Sequence, residues 1–492
     1  MDFLDPNKKR KHIRRIYLGY ILIGIGILLS AFILVYISYG YKLDSQTGNI
    51  VKNGLIFINS APESASIYLN GKENGNTEKR LTVPEGQYYI ELRRKGYTTW
   101  KKTIKLAGSS IERLVYPVLF PEKLEPKAIK SYSANPQFST QSLDRKWIII
   151  STPGSITNFE IYDTSKPQDP AKTFSVPANI YSPAIKPVTS DIKLVEWSSD
   201  NKNFLVKHSY DGKYEYILIN RETPSTSVNL NNFFGIAPKE IALRDKKADQ
   251  FYILQTDLSL SSATSKSKTL TPVLANVSSF KSHQKEIIIY ATNDPATPEV
   301  TTLMIRDNNK NYKIKDFAKS PLLLDIVQFD DHWYAAATST KEGGLYIYQD
   351  PVQKIDRKLK NALIPYNILK ITKPVKLNFS ANARFVMAQN KKGVAVYDFE
   401  DEDRYNYDFT KELPAGQFAT WMDGHRILTT IDKTSEVFEF DNQNKRILVP
   451  ITTNSLPYFD RNYERLFTLA ESTTTPKSVD LNKTILKIGL KD

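Results

Sequence analysis

The sequence predicts a mostly β protein with a single N-terminal transmembrane helix, a small β-sandwich and a β-propeller of eight, or alternatively seven, four-stranded blades. Three observations support this fold class. An apolar segment without charged residues covers positions 16–41. The rest of the chain is rich in Tyr, Phe and β-branched residues and lacks a sustained helical period. From residue 125 to residue 492, one pattern of an anchor residue, a polar turn and an apolar strand recurs.

The apolar segment from Ile16 to Tyr41 is long enough to cross a lipid bilayer. As a helix it would extend about 39 Å, which exceeds the ~30 Å thickness of the hydrocarbon core. It is much longer than the apolar part of a cleaved signal peptide, and no small-residue cleavage site follows it. We therefore predict an uncleaved signal anchor that contacts the lipid bilayer through residues 16–41.

Basic residues immediately before the anchor predict its orientation. They are Lys8, Lys9, Arg10, Lys11, Arg14 and Arg15. Because Lys and Arg are enriched on the cytoplasmic side of membrane helices, residues 1–15 are expected to form a cytoplasmic tail. Residues 42–492 would then lie outside the cell membrane, in an extracellular or periplasmic location.

Charge and cysteine content limit the classes of partner. The net charge is +14, and after the basic tail the excess is spread thinly along the chain. A basic exterior attracts anionic envelope polymers, although a merely soluble basic surface explains the same charge. Nucleic acid is not an expected partner, because there is no compact basic patch. The chain has no cysteine, so disulfides, thiol catalysis and Cys-zinc sites are excluded.

A small β-domain is predicted at residues 54–121, after a linker at 42–53. Short alternating runs such as Tyr88 to Leu92 read as strands, and Asn70-Gly71 is a tight-turn signal. Five or six strands in under about 70 residues predict a small antiparallel sandwich.

The same residues resemble the PEGA family of small surface β-domains of bacteria and archaea. The matching motifs are Ser60-x-Pro62-Glu63-Ser64-Ala65, Ile67-x-Leu69-Asn70-Gly71-Lys72, Gly75-x-Thr77, Gly86-x-Tyr88-x-Ile90-x-Leu92, Lys95-Gly96-Tyr97 and Trp100. Ser64 replaces a glycine of the family, and Glu78 stands where a proline often follows. The resemblance implies a surface spacer or a ligand-binding module.

Three aromatic residues of this domain are candidate contacts for a carbohydrate or a partner. Tyr88, Tyr97 and Trp100 would form a platform for sugar rings if they were exposed. The alternative is that they fill the core of a domain that is too small to have many other core residues.

The propeller prediction depends on eight anchor residues spaced by about 46 positions, as expected for blades of roughly 40 to 50 residues. The anchors are Phe138, Trp197, Leu243, Phe280, Phe329, Phe379, Trp421 and Phe459. Seven blades would result if the copy at Leu243 were irregular. The Trp197 to Val206 copy resembles the TolB-type and WD40-like bacterial propellers, which implies that its Ser and Asp residues order a hairpin rather than form a site.

No catalytic, cofactor or metal motif is present. There is no G-x-S-x-G elbow, no H-E-x-x-H and no P-loop, so we predict a protein that is not an enzyme and binds no cofactor. Catalysis by a pair of carboxylates in the propeller channel is an alternative, because the sequence alone does not show which Asp or Glu side chains converge there. The acidic run Glu400 to Asp403 is interpreted as a solvated hairpin tip rather than a cation site. Leu258 to Thr271 and Ser472 to Pro476 are predicted exposed loops.

These observations favour a membrane-anchored extracytoplasmic binding or scaffold protein. Its PEGA-like stalk would present the propeller to a partner protein or an anionic envelope polymer. The alternative is an exterior hydrolase that acts on glycans or peptides. A signal receiver is disfavoured, because only about 15 residues would remain inside the cell.

Overall fold

The computed structural model describes residues 6–38, 41–43, 50–185, 190–284, 287–452 and 455–490. The chain divides into two compact units, residues 1–122 and residues 123–492. Each unit is described separately below.

The N-terminal helix α1 covers Pro6–Ser38 and contains the predicted anchor. It ends three residues before the predicted limit at Tyr41, which instead begins a short strand, β1, Tyr41–Leu43. The part from Ile16 to Ser38 would still extend about 34 Å, which is enough to cross a bilayer. Within Lys9–Ser38 the helix contains a segment long and apolar enough to cross a membrane, and the rest of the chain does not bury that segment.

The small unit contains two four-stranded sheets. Its remaining strands are β2 Ile50–Ile58, β3 Ser66–Leu69, β4 Lys72–Asn76, β5 Lys79–Pro84, β6 Gly86–Arg93, β7 Trp100–Leu106 and β8 Ile111–Leu114. One sheet has the order β1-β2-β5 with β8 also paired to β2, and the other has the order β4-β3-β6-β7. The prediction of a purely antiparallel sandwich is wrong in one pair, because β8 runs parallel to β2. Strands β1 and β2 also occupy part of the predicted linker.

The turns of the small unit explain several of its motif residues. Asn70 and Gly71 both have positive φ angles, as the predicted tight turn requires. Thr77 Oγ1 accepts a hydrogen bond from the Ala65 amide at 3.0 Å and lies 2.8 Å from Ser60 Oγ. Ser64 has φ 61° and Glu78 has φ 70°. The first position therefore suits the glycine of the family, whereas the second has a backbone conformation that a proline does not adopt.

The large unit is an eight-bladed propeller in which each blade is a four-stranded antiparallel sheet. Blades 1 and 2 comprise β10 Ser139–Gln141, β11 Trp147–Ser151, β12 Asn158–Asp163, β13 Lys172–Ser175, β14 Asp191–Trp197, β15 Asn203–Tyr210, β16 Lys213–Asn220 and β17 Val228–Asn229. Blades 3 and 4 comprise β18 Glu240–Leu243, β19 Gln250–Leu254, β20 Leu260–Thr264, β21 Ser267–Leu274, β22 Val277–His283, β23 Ile287–Thr292, β24 Val300–Asp307 and β25 Lys310–Ala318. Blades 5 and 6 comprise β26 Leu322–Phe329, β27 His332–Ser339, β28 Leu345–Gln349, β29 Asn367–Leu369, β30 Lys376–Phe379, β31 Phe385–Gln389, β32 Gly393–Asp398 and β33 Arg404–Asp408. Blade 7 and the C-terminal part of blade 8 comprise β34 Thr420–Trp421, β35 Arg426–Ile431, β36 Thr434–Glu439, β37 Arg446–Pro450, β38 Tyr458–Phe459, β39 Arg465–Glu471 and β40 Val479–Ile485. In the described part of the chain, the connections contain the short helices α2 Leu230–Phe234 and α3 Pro351–Asp356 and the 3₁₀ turns Ala178–Ile180, Pro224–Thr226 and Arg244–Lys246.

The propeller is closed by its own N-terminal strand. Strand β9, Lys127–Tyr132, pairs with β40 and becomes the fourth strand of blade 8. Tyr132 then contacts blade 1, because its hydroxyl donates to Glu160 Oε2 at 2.7 Å. Because the first strand of the unit completes the last blade, the two ends of the ring are joined within one sheet, and a cysteine-free chain is held closed by pairing and packing.

The eight predicted anchors fall in or beside the first strands of the eight blades, and the Leu243 copy is a regular blade. The alternative of seven blades is therefore excluded. Trp197 is almost fully buried, its ring is tilted by 36° against that of Phe204 with 4.9 Å between centroids, and its Nε1 donates to Thr140 in blade 1. The following Ser198 and Asp200 form the expected hairpin, in which Asp200 accepts the Lys202 amide at 2.9 Å.

Two loop predictions have different outcomes. Leu258 to Thr271 is mostly strand rather than exposed loop, since β20 and β21 complete blade 3 and Leu260 is fully buried. Pairing with β19 outweighs the polar composition of this segment. By contrast, the run from Ser472 to Pro476 forms the largely exposed hairpin that was predicted.

Candidate functional site

The predicted aromatic platform of the small unit is not formed. Tyr97 and Trp100 are buried, and Trp100 packs edge-on to Tyr116 with 6.2 Å between ring centroids. Tyr88 is half-buried, and its hydroxyl donates to the carbonyl of Pro84 at 2.7 Å. Tyr97 and Trp100 therefore belong to the core of the domain, and of the three rings Tyr88 alone keeps part of its surface exposed.

The solvent-facing ring of this sheet is the next residue, Tyr89, which is 40% exposed. Side chains alternate along a strand, so an assignment that is wrong by one residue selects the opposite face. On this outer face, Arg93 lies 4.2 Å from the ring centroid of Tyr68 and pairs with Glu91, which also pairs with Lys101 at 3.6 Å. The alternation of Tyr88, Ile90 and Leu92 along β6 is the sequence signal that identifies the inward face of this sheet.

The residues predicted to set the topology lie in the first turns of α1. Lys9, Arg10, Lys11, Arg14 and Arg15 are exposed. The side chain of Lys8 lies outside the described part of the chain. The following apolar side chains are exposed too, for example Leu28 at 72% and Phe32 at 66%.

The inner strands of the propeller are joined around the channel by side chains that bond to the next blade. Glu196 in blade 2 accepts a hydrogen bond from the Leu243 amide of blade 3 at 2.6 Å. Asp325 in blade 5 accepts one from the Phe379 amide of blade 6 at 3.1 Å. The first strands of blades 4, 5 and 6 contact each other directly, which identifies them as the innermost strands.

Three partly exposed carboxylates on these inner strands share one lysine. Burial raises the pKa values of Glu196, Glu240 and Asp325, and the positive charge of Lys281 on blade 4 opposes the rise at all three. The nearby Glu196 and Glu240 also repel each other, which raises the pKa of Glu196 further. The channel therefore contains an acid–base cluster that the sequence did not reveal, because closure of the ring brings blades 2 to 5 together.

A second lysine lies at the start of the inner strand of blade 6. Lys376 is half-buried, and burial lowers its pKa to about 8. Its Nζ contacts the Ala419 carbonyl at 3.4 Å and lies 5.5 Å from the ring centroid of Phe418, which is 40% exposed. Gln389 holds the same residue, Ala419, through two hydrogen bonds of 2.8 Å. A cation, an exposed ring and a fixed backbone therefore meet at one end of the channel.

That end belongs to the face where the first strand of each blade begins. The connections between blades and the hairpins between second and third strands share this face, which we call the loop face, because consecutive strands are antiparallel. In blades 5 to 8 its described segments are 340–344, 370–375, 390–392, 409–419, 432–433, 451–452, 455–457 and 472–478. They contain eight lysines, three carboxylates and no arginine, whereas the corresponding segments of blades 1 to 4 are close to neutral.

A buried serine, histidine and glutamate array lies at the loop face of blade 2. His208 is fully buried, with Nδ1 2.8 Å from Glu215 Oε1 and Nε2 2.9 Å from Ser190 Oγ. Glu215 also accepts hydrogen bonds from the Ser182 amide and hydroxyl and from Asn229. Burial opposes its ionisation, but these hydrogen bonds dominate and lower the pKa of Glu215 to about 2.

One signal could have identified two members of this array. Asp211-Gly212 is a two-residue turn, and counting back along both strands places His208 directly opposite Glu215. Nothing in the local sequence links Ser190 to them. The array joins Ser182 and Ser190, which precede blade 2, to the second and third strands of that blade, and it also has the order of hydrogen bonds that activates a serine nucleophile.

Metal binding has little support among the described residues, in which no group of three His, Asp or Glu side chains is placed to hold an ion. The acidic run at 400–403 is an exposed tip, as predicted. Two of its members, Glu400 and Asp401, pair with Arg384, which also forms two hydrogen bonds with Asp398 at 2.9 and 2.6 Å. Arginine therefore provides the positive charge that a cation would supply.

Comparison with known proteins identifies one domain by its sequence. Residues 53–114 match the PEGA domain family. No curated protein matches the chain in sequence.

Similar solved structures share only about a tenth of their residues with this chain. They include the C-terminal WD40 domain of Sif2 (11% identity, 74% of this chain and 99% of that chain, TM-score 0.45). They also include Hsv2p of Kluyveromyces lactis (10% identity, 64% and 97%, TM-score 0.40) and oligogalacturonate lyase of Vibrio parahaemolyticus (12% identity, 75% and 100%, TM-score 0.37). These scores are low, so the fold assignment rests on the eight sheets themselves. The chain is a β-propeller protein that contains a PEGA domain and an N-terminal helix long and apolar enough to cross a membrane.

Proposed function

We propose that this chain is a membrane-anchored extracytoplasmic binding protein whose propeller holds a partner protein or an anionic envelope polymer. In this proposal α1 crosses the bilayer, the basic tail remains in the cytoplasm, and both β units lie outside. The observation that supports the anchor is the exposure of nearly every apolar side chain of α1, including Leu34 at 66%. Such a surface in water would cost about 25 cal/mol for each Å² of apolar area, whereas lipid covers it.

A binding role, rather than a catalytic one, is favoured by how the channel charges are used. Glu196 and Asp325 each accept backbone hydrogen bonds that join neighbouring blades. Lys281 balances the remaining carboxylate, Glu240. Glu196 and Asp325 therefore link neighbouring blades, and Lys281 partly compensates the charge of Glu240, which leaves the loop face as an exposed surface with a distinct chemistry.

The binding role can be tested with full-length protein in nanodiscs of zwitterionic lipid. Retention of an envelope polymer or of a specific protein from the native envelope would support the proposal. Empty nanodiscs control for adsorption to lipid. If folded protein retains neither class of ligand at low salt, the binding role is refuted.

The array Ser190, His208 and Glu215 favours a second candidate function, an exterior hydrolase. Because Glu215 is ionised and holds Nδ1–H, Nε2 of His208 is free to accept the Ser190 proton as Oγ attacks an acyl carbon. The acyl–leaving-group bond would break as the same proton passes to the leaving group, and water would then release the acyl product. This chemistry fits peptides or esters better than glycosidic bonds.

Labelling with a fluorophosphonate distinguishes the hydrolase from a purely structural array. A hydrolase predicts labelling that is lost in Ser190→Ala and retained in Ser182→Ala, since Ser182 contacts the same glutamate without contacting His208. Absence of labelling in folded wild-type protein would exclude the serine hydrolase.

A further inference from the structure

We propose that the loop face of blades 5 to 8 contains a binding site for an anionic carbohydrate polymer, whose sugar rings contact Val375 and Phe418 and whose acidic groups contact surrounding lysines. This inference deepens the proposed binding function by naming its ligand class. The anionic group is a carboxylate or a phosphate, two sources of the same charge that the experiment below distinguishes.

The first argument is an open depression of about 560 Å³ in this face. It is lined by Thr340, Lys341, Lys373, Pro374 and Val375. Two cations, one hydroxyl and two apolar side chains therefore share one concave surface. That combination suits a ring that has an apolar face, hydroxyl groups at its edge and a negative charge.

The second argument is continuity with the channel mouth. Val375, at the edge of the depression, is 40% exposed and precedes Lys376, whose Nζ lies near the ring of Phe418. Leu456 is 49% exposed and lies two residues before the first strand of blade 8, just as Phe418 lies two residues before the first strand of blade 7. The apolar positions of blades 6, 7 and 8 therefore follow the rim of the channel, as an extended polymer would require.

The third argument is unbalanced charge. Among the described residues, Lys341, Lys370, Lys373, Lys391 and Lys477 have no carboxylate within ion-pair distance. The same face has other lysines that are already paired, such as Lys392 with Glu412 at 3.5 Å. The unpaired set gives this half of the face a positive potential that attracts polyanions.

The chemistry of the cations favours a polymer over a protein. Every basic residue in these loops is lysine, a hydrated point charge, and none is arginine, whose planar fork is enriched in protein interfaces. Lysines around an exposed ring are suited to repeated acidic groups separated by sugar rings. An acidic protein is the competing occupant and becomes an outcome of the test.

The test measures binding of full-length protein, in nanodiscs of zwitterionic lipid, to four probes. Polygalacturonate provides the carboxylate, dextran phosphate provides the phosphate, neutral dextran lacks charge and polyglutamate lacks sugar rings. At low salt we expect binding to at least one of the first two probes and not to neutral dextran, with weakening as salt rises. Preference between the first two probes identifies the acidic group.

Variants then locate the site. The triple variant Lys341→Gln/Lys373→Gln/Lys391→Gln is expected to weaken polymer binding on the order of tenfold through loss of three charges. The matched control, Lys266→Gln/Lys310→Gln/Lys360→Gln, removes the same charge at the connections between third and fourth strands, which lie on the opposite face. Because all six lysines are exposed, the melting temperatures should remain unchanged.

The variant Phe418→Ala distinguishes a carbohydrate ligand from an acidic protein ligand. It should weaken binding of the sugar polymer and leave polyglutamate binding unchanged. Equal losses in the two triple variants, or polyglutamate that binds as tightly as the sugar polymers, would overturn this inference. The proposed binding function would still hold after either result if the nanodisc experiment above retains a protein from the native envelope. Failure of the carbohydrate site and failure of the binding function are therefore distinguishable.

Discussion

Replacement of Glu215 by Gln tests whether the buried array of blade 2 stabilises the propeller through an ionised carboxylate. The hydrogen bonds from His208 and Ser182 hold the pKa of Glu215 at about 2, compared with 4.5 for an unperturbed glutamate side chain. At about 1.36 kcal/mol for each pKa unit, ionised Glu215 contributes about 3 kcal/mol at neutral pH. Its side chain is only 3% exposed, so solvent screening is small.

The sign of the pH dependence follows from the lowered pKa. The stabilisation is fully present above the unfolded pKa of 4.5 and is lost as pH falls toward the folded value of about 2. Denaturant unfolding should therefore show Glu215→Gln to be about 3 kcal/mol less stable than wild type at pH 7. That difference should shrink by roughly half or more at pH 3.

Glu240→Gln is the matched control for this experiment. Burial raises the pKa of Glu240, so its ionised form opposes folding at neutral pH. Removing that charge should leave stability unchanged or slightly increased at pH 7. A Glu215→Gln protein as stable as wild type, or a deficit that is the same at pH 7 and pH 3, would refute the electrostatic reasoning.

Three further predictions concern the small unit and the channel mouth. Trp100→Ala should destabilise the PEGA domain by about 3–5 kcal/mol in thermal unfolding, because Trp100 is buried. Tyr89→Ala should destabilise it by less than about 1 kcal/mol, because Tyr89 is exposed. Similar losses of stability in the two variants would contradict the assignment of core and surface. Ser64→Gly should stabilise this domain by about 1 kcal/mol by relieving a positive φ angle, and an unchanged melting temperature would argue against strain there. Acylation of Lys376 should reach half its maximal rate near pH 8, as followed by peptide mass spectrometry, and a profile centred near that of an ordinary lysine would contradict its burial.

The repeated features of the propeller could be predicted from local sequence alone. The anchor residues and buried second strands predicted the blades, because each blade uses the same short-range alternation of side chains. Strand β9 was not predicted as part of blade 8, since its partner β40 lies about 350 residues away and nothing local specifies that pairing. The prediction of an exposed loop at 258–271 was wrong for a related reason, because the pairing of its strands outweighed its polar composition.

The candidate sites were less predictable than the fold. Tyr88 and Tyr89 are adjacent in sequence and face opposite sides of one sheet, so the choice between them depended on register. The carboxylates around Lys281 come from different blades, and only closure of the ring brings them together. The basic half of the loop face likewise becomes visible only when the topology assigns each connection to a side.

Cysteine labelling in cells tests the proposed membrane anchor most directly. The natural chain has no cysteine, so a single introduced thiol reports its own location without background. A membrane-impermeant maleimide, applied to intact spheroplasts, should label Thr473→Cys in the exposed hairpin of blade 8 and label His12→Cys only after lysis. Labelling of His12→Cys in intact spheroplasts, or protection of Thr473→Cys until lysis, would contradict an anchor that leaves the β units outside.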